Sequence, residues 1–198
     1  KMIESAFLNP SHDMARAFRP ILDVMASPGR ILPFSPALSA PPGLSPEAAA
    51  VALTLCDFQT AIWLDAELRT PAIQHYLRFH AGAPLTQIET DAAFVFADAR
   101  FGVPDLSQFS KGTHEYPDRS ATIVIQAEQL RSDSGVTLRG PGIQSEHRLG
   151  IAALGADFWQ QMIALRHDFP LGVDVVFVGP GTIAALPRST QIHLMEIV

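Results

Sequence analysis

Apolar residues recur at helical spacing in the first third of the chain and gather into short runs in the last third. Met14, Phe18, Ile21, Leu22 and Met25 share one face of a predicted helix that Ser11 caps and that runs to about Ala26. Pro20 removes the bond back to Arg16 and should kink it, and Pro28-Gly29 ends it. Arg30 to Phe34 reads as a short strand, followed by a proline-stiffened loop. Ser45-Pro46-Glu47 starts a helix that runs to about Asp57, with a capping hydroxyl, a proline at the first helical position and an early acid. Thr60 to Leu64 predicts a buried strand. Thr70-Pro71 opens a helix that stops near Gly82, and Phe94 to Phe96 lie in a second buried strand. Residues 98–119 are turn-rich, with one helical turn expected after Pro104.

Strand patterns then dominate. Ala121 to Gln126 and Val136 to Arg139 read as adjacent strands joined by a turn at Ser132 to Gly135, with a third over Ile143 to Leu149. Asp157 to Arg166 predicts a helix with Phe158, Met162 and Leu165 inward. Val173 to Val178, Thr182 to Leu186 and Gln191 to Ile197 read as closing strands, the first pair turning at Gly179-Pro180-Gly181. Helices alternating with strands early, and strands clustering late, predict a three-layer α/β/α fold with a mixed sheet. Neither a repeat nor a linker interrupts the chain, which predicts one domain over residues 1–198.

Composition narrows the function. The 198 residues are 47% hydrophobic and 17% charged, which suits a large core without disulfides. The formal charge of −6, without a basic run, argues against general binding to nucleic acid or to an anionic membrane. No stretch reaches the roughly 18 apolar residues of a membrane span, and Lys1 to Ser5 lack the apolar core of a signal peptide. One cysteine, Cys56, excludes an intrachain disulfide and a cysteine-rich zinc site. A cytoplasmic protein is the expectation. Phosphate-loop, dinucleotide, nucleophile-elbow and paired-histidine zinc motifs are absent, so neither a metal nor a cofactor is expected.

Several segments remain as candidate sites. Cys56 sits among apolar and acidic neighbours, which suits a buried structural thiol. Arg78 and His80 fall at a predicted helix C-terminus, where they either complement the dipole or together hold an anion or a partner. Lys111-Gly112-Thr113 is either a solvated turn or a small anion-binding nest. Gly140-Pro141-Gly142 is either a tight turn or a place where backbones approach closely. Asp174, at the amino end of a strand, suits a structural pair with Arg188 or a cap. Arg188-Ser189-Thr190 could serve a phosphate or an interface equally well. Arginine outnumbers lysine 12 to 2, through base composition of the gene or for bidentate anion recognition. Any internal Schiff-base chemistry would have to use Lys111.

The order of short segments adds a resemblance. Phe18-Arg19 and Met25 to Gly29 precede Leu53-Thr54-Leu55 and Thr60 to Leu64. Arg78-Phe79-His80, Ala83-Pro84-Leu85, Gly112-Thr113, Pro117 and Ala121-Thr122 follow, then Leu138 to Ile143, Phe169 to Asp174 and Pro187 to Thr190. In this order the chain resembles the PhnH family, the H subunits of the bacterial carbon–phosphorus lyase system. Two positions depart from it: Ala81, where the family often has threonine, and Cys56, where it often has an aliphatic residue.

The resemblance implies a fold like the large domain of pyridoxal-phosphate-dependent transferases, without the cofactor. It implies association with the G, I and J subunits and, functionally, with L, and a homodimer when isolated. The reaction it implies displaces the adenine of ATP by methylphosphonate, giving ribose 1-methylphosphonate 5-triphosphate. On this reading the chain supports a complex and is not catalytic alone. Arg78, His80, Lys111, Thr113 and Arg188 are then candidates for a phosphonate or nucleotide anion or for a partner. A catalytic subunit using those residues, and a free-standing cytosolic enzyme, are the alternatives. The missing set of convergent acid, base and nucleophile favours the supporting subunit.

Overall fold

Four apolar runs, each ending near a polar residue or a glycine, lie side by side and point the same way. They are β2 (Ile62–Leu64), β4 (Phe94–Asp98), β5 (Thr122–Gln126) and β8 (Asp174–Gly179). The structure, a computed structural model, describes residues 6–7 and 9–194. Three further strands complete the main sheet: β1 (Leu32–Pro33), β3 (Leu85–Thr86) and β9 (Thr182–Leu186). The order is β1-β9-β8-β5-β4-β2-β3, with β9 antiparallel to β8 and to β1 and the rest parallel, a mixed sheet.

Side chains alternate across this sheet, as the pleat requires. Ile62, Leu64, Phe96, Val124, Val176 and Val178 face a core layer built by α1 (Pro10–Ala26), α2 (Pro46–Leu55) and α3 (Pro71–His80). Trp63, Val95, Ile123, Ile125, Val175 and Phe177 face the other way. There they meet α4 (Ala156–Arg166) and a separate three-stranded antiparallel sheet, in the order β10 (Gln191–His193), β6 (Leu130–Arg139), β7 (His147–Ile151). The outer layer predicted as helical on both faces is therefore helix plus sheet on one of them. Each large side chain buried between layers contributes roughly 1.5–3 kcal/mol.

The helix predicted from Ser11 starts at Pro10, and Asn9, not Ser11, is its cap residue; the Asn9 N–H donates to the Asp13 carboxylate at 2.8 Å. Its buried face is Ala17, Ile21 and Val24, while Met14, Phe18 and Leu22 are exposed. Ile21 and Met25 of the predicted face do meet the core, which is centred on the side of Ala17 and Val24. Val136 to Arg139 does not pair with β5. It ends β6, and the turn expected at Ser132 to Gly135 lies inside that strand, at a register shift between Arg131 and Val136. The last predicted strand joins the small sheet; its continuation to Ile197 runs beyond the described residues. The cap expected at Ser45 forms, accepting from the Ala48 N–H, and Thr70, at the expected helix start, accepts from the Ile73 N–H. Among the described residues, no helix is long and apolar enough to cross a membrane.

Cys56 caps the C-terminus of α2 and is 6% exposed. Burial, then the charge of Asp57, pushes its thiol far above the ordinary range, so it is inert as a nucleophile at neutral pH. Cys56→Ala should keep full function in a complementation assay and lose about 1 kcal/mol in thermal or urea melting. Loss of function in a normally folded variant would contradict the structural role.

Candidate functional site

In open α/β sheets, ligands gather outside the carboxyl ends of parallel strands, where neighbouring connections leave on opposite faces. Here β2 leads into α3 on one face, and β4 leads toward Leu106 and Phe109 on the other. The residues closing these strands form a polar network. Asp65, just after β2, accepts from the Leu68 N–H and from the Asp98 N–H, both at 2.8 Å. Asp98 ends β4, is 1% exposed, and is held by the Arg100 guanidinium at 2.7 Å and by the Gln126 amide at 2.7 Å. Gln126 ends β5 and reaches across the sheet edge. Its amide also donates to the Gly43 carbonyl at 2.8 Å, and its carbonyl accepts from the Ser45 N–H at 3.0 Å. The loop that starts α2 is thus clamped onto the strand ends. Glu47, buried in the first turn of α2, accepts from the Gly181 N–H at 2.8 Å.

A crevice of about 340 Å³ opens between these groups, lined by Ser45, Glu47, Asp98, Arg100, Gln126 and Glu128. Burial pushes Asp65 up, against the two N–H bonds it accepts. Burial also raises Asp98, but the bonds from Arg100 and Gln126 outweigh it and hold its carboxyl below the usual range. The crevice sets three carboxylates against one guanidinium, and Asp98 already occupies that guanidinium. It therefore favours hydroxyl or amine donors and disfavours a polyanion. Its lining holds one hydroxyl, that of Ser45, which already accepts from the Ala48 N–H. Among the described residues, no group of three or more His, Cys, Asp or Glu side chains could hold a metal.

The residues singled out from the sequence lie elsewhere. Lys111, Thr113 and Arg188 come together at the amino ends of β5 and β8. The Arg188 guanidinium pairs with both oxygens of Asp174 and donates to the Pro117 carbonyl. This is the pairing expected from the sequence, and it leaves that guanidinium largely occupied. Lys111 pairs with Asp168 at 3.2 Å, and its backbone carbonyl accepts from the Gly172 N–H at 3.0 Å. The Thr113 hydroxyl accepts from the Tyr116 N–H at 3.0 Å, closing a local turn.

Arg78 and His80 do not converge, because residues two apart on a helix point to different sides. His80 packs on Tyr76, ring centroids 4.6 Å apart, and on Phe79. Burial, then the charge of His75, lowers its pKa, which favours the neutral ring over a second cation. Arg78 instead lines a small groove beside Arg69, Gln74, Leu85, Thr86 and Gln87.

Other segments quoted from the sequence meet at a backbone junction. A side chain at Gly142 would stand 2.2 Å from the Ala26 carbonyl, and one at Gly29 would stand 2.6 Å from Leu138. Gly140 packs against Ser189 and Thr190, and His147 Nδ1 is 2.7 Å from the Pro28 carbonyl. Close approach, not turn geometry alone, explains Gly140-Pro141-Gly142. The polar strand ends Asp65, Asp98 and Gln126 escaped the sequence reading. Their signal was a polar residue terminating an apolar run: Leu64-Asp65, Ala97-Asp98, Ile125-Gln126.

The family described as "Bacterial phosphonate metabolism protein (PhnH)" matches residues 5–193. The alpha-D-ribose 1-methylphosphonate 5-triphosphate synthase subunit PhnH of Rhizobium meliloti (strain 1021) is 35% identical over 193 residues, covering 98% of this chain and 96% of that protein. The "Putative C-P lyase subunit protein HtxG" of Stutzerimonas stutzeri is 30% identical over 178 residues, covering 90% of this chain and 85% of that protein.

Proposed function

The chain belongs to the PhnH family of bacterial phosphonate metabolism proteins, and from that premise we propose that it serves as a subunit of a carbon–phosphorus lyase complex in phosphonate catabolism. In this role it supports formation of ribose 1-methylphosphonate 5-triphosphate from ATP and methylphosphonate. The observation that carries the reading is the 35% identity to a synthase subunit across nearly the full length of both chains. The partners are the G, I and J subunits, with L acting alongside, and the isolated chain forms a homodimer in the cytoplasm. The crevice at the strand ends supports a binding or holding role. Of its carboxylates, Glu47 and Asp98 are engaged in hydrogen bonds, and no nucleophile sits beside a general base there. Co-expression with the neighbouring subunits tests the proposal: the chain should co-elute with them, and elution of a folded chain on its own would contradict it.

The mixed sheet is consistent with the large domain of pyridoxal-phosphate-dependent transferases, with the cofactor chemistry lost. Lys111 pairs with Asp168 at the amino ends of the strands, away from the crevice, and is poorly placed as a desolvated Schiff-base amine. Incubation with pyridoxal phosphate, borohydride reduction and mass analysis should give no stoichiometric adduct on Lys111. Such an adduct would overturn this expectation.

A further inference from the structure

The crevice at the strand ends is net negative, and the cations at the amino ends are paired with Asp168 and Asp174. The groove beside β3 differs from both. Ile62, Leu64, Arg69, Gln74, Arg78, Leu85, Thr86 and Gln87 line it, two guanidinium groups with no carboxylate among them. Arg69 is fixed by its bond to the Leu64 carbonyl at 2.9 Å and by its seat over the Trp63 ring, 5.5 Å from the centroid. The Gln74 amide holds the Arg69 carbonyl at 3.0 Å. Arg78 reaches the same groove from the last turn of α3, and among the described residues no carboxylate pairs with it. A positioned guanidinium beside an unpaired one is the arrangement that recognises an oxyanion through several charge-assisted bonds.

The apolar part of its lining that a ligand can reach is Leu85 from β3, half-buried, with Ile62 and Leu64 of β2 beside it in the core. The open space is about 60 Å³, which suits a small anion and not a nucleotide. A methylphosphonate carries four groups on phosphorus, one methyl and three oxygens. The groove offers Leu85 to the first and guanidinium and amide donors to the others.

We infer that the groove between α3 and β3 binds a small alkylphosphonate anion, with Arg69 and Arg78 on its oxygens and Leu85 against its alkyl group. The oxyanion class follows from the groove alone; its assignment to a phosphonate rests on the function proposed above.

Titration of the purified full chain with methylphosphonate and with inorganic phosphate, followed by calorimetry, tests this. Methylphosphonate should bind saturably and more tightly than phosphate. Arg78→Gln should weaken it at least tenfold, with an unchanged melting temperature. Gln87→Glu, which adds a carboxylate at an exposed position of the groove, should do the same. Absence of saturable binding, phosphate binding as tight as methylphosphonate, or affinity unchanged in both folded variants would overturn the inference. Growth of an H-subunit deletion strain on methylphosphonate separates the two readings. Rescue by the wild-type chain without measurable binding sinks the groove and leaves the functional reading standing. Binding without rescue does the reverse.

Discussion

Gly142→Ala should destabilise the protein by about 3 kcal/mol or more, seen as a fall of roughly 6–12 °C in Tm for a chain of this size. Gly142 has φ of +81°, and a methyl group there would lie 2.2 Å from the Ala26 carbonyl and 3.0 Å from Pro28. The left-handed conformation alone costs an alanine roughly 1–2 kcal/mol. The obstacle is backbone, so relief requires the β6–β7 connection to move off the end of α1. That movement would also disturb the contact of His147 with the Pro28 carbonyl. Gly155→Ala is the control, because nothing lies within 4 Å of its added methyl and its φ is −85°. Equal stability of the two variants would show that the junction yields easily.

Asp98→Ala should cost about 3 kcal/mol, the scale seen when one member of a buried charged network is removed. The loss leaves the buried Gln126 amide short of one acceptor and the Arg100 guanidinium without its partner. The Gly43–Ser45 loop, held through Gln126, should loosen with it, and faster amide exchange at Ser45 would report that change. The effect depends on pH. Because the Asp98 carboxyl is held below its ordinary range, its stabilisation is present above the unfolded value of about 3.9 and is lost as pH falls through the lower folded value. The stability gap between wild type and Asp98→Asn should therefore narrow as pH is lowered from about 6 to about 3. Asp65 acts in the opposite direction. Burial raises it, so its contribution is complete at low pH and declines as pH rises through the raised value. A gap that stays constant or widens on acidification would contradict the role given to Asp98.

Some local signals form where expected, whereas the cap at Ser11 and the turn at Ser132 to Gly135, equally local, do not. The capping hydroxyl of Ser45, the helix start at Thr70-Pro71 and the Gly179-Pro180-Gly181 turn are written in neighbouring residues, and each forms where expected. The pairing of β5 with β4 and β8 joins segments far apart in the chain, so nothing local marks it. The pattern instead suggested the next strand in sequence, Val136 to Arg139, which lies in the other sheet. On α1, Met14, Phe18, Ile21, Leu22 and Met25 look like one core face; Ile21 is buried and Met25 packs on the core, but the covered side is turned toward Ala17 and Val24 and leaves Met14, Phe18 and Leu22 exposed. Periodicity reports that a stripe exists, and closeness of approach decides which side of it is covered.

The candidate sites divide in the same way. Arg188 with Asp174 was visible as a plausible pair flanking two strand ends, and the structure joins them. Arg78 with His80 looked joint only because they are close in sequence; helix geometry sends one into the groove and the other onto Tyr76. Arg69 and Gln87 carried no signal, since only the packing of α3 beside β3 brings them to Arg78.

The role proposed for this chain is that of a phosphonate-processing subunit that acts through its partners. The most direct measurement is reconstitution: purified partner subunits lacking the H component, supplied with ATP and methylphosphonate, assayed for ribose 1-methylphosphonate 5-triphosphate with and without this chain. The chain alone should give no product, the depleted partners little, and addition of the chain should restore synthesis. Turnover by the chain alone, or no restoration by a folded chain that binds its partners, would contradict it.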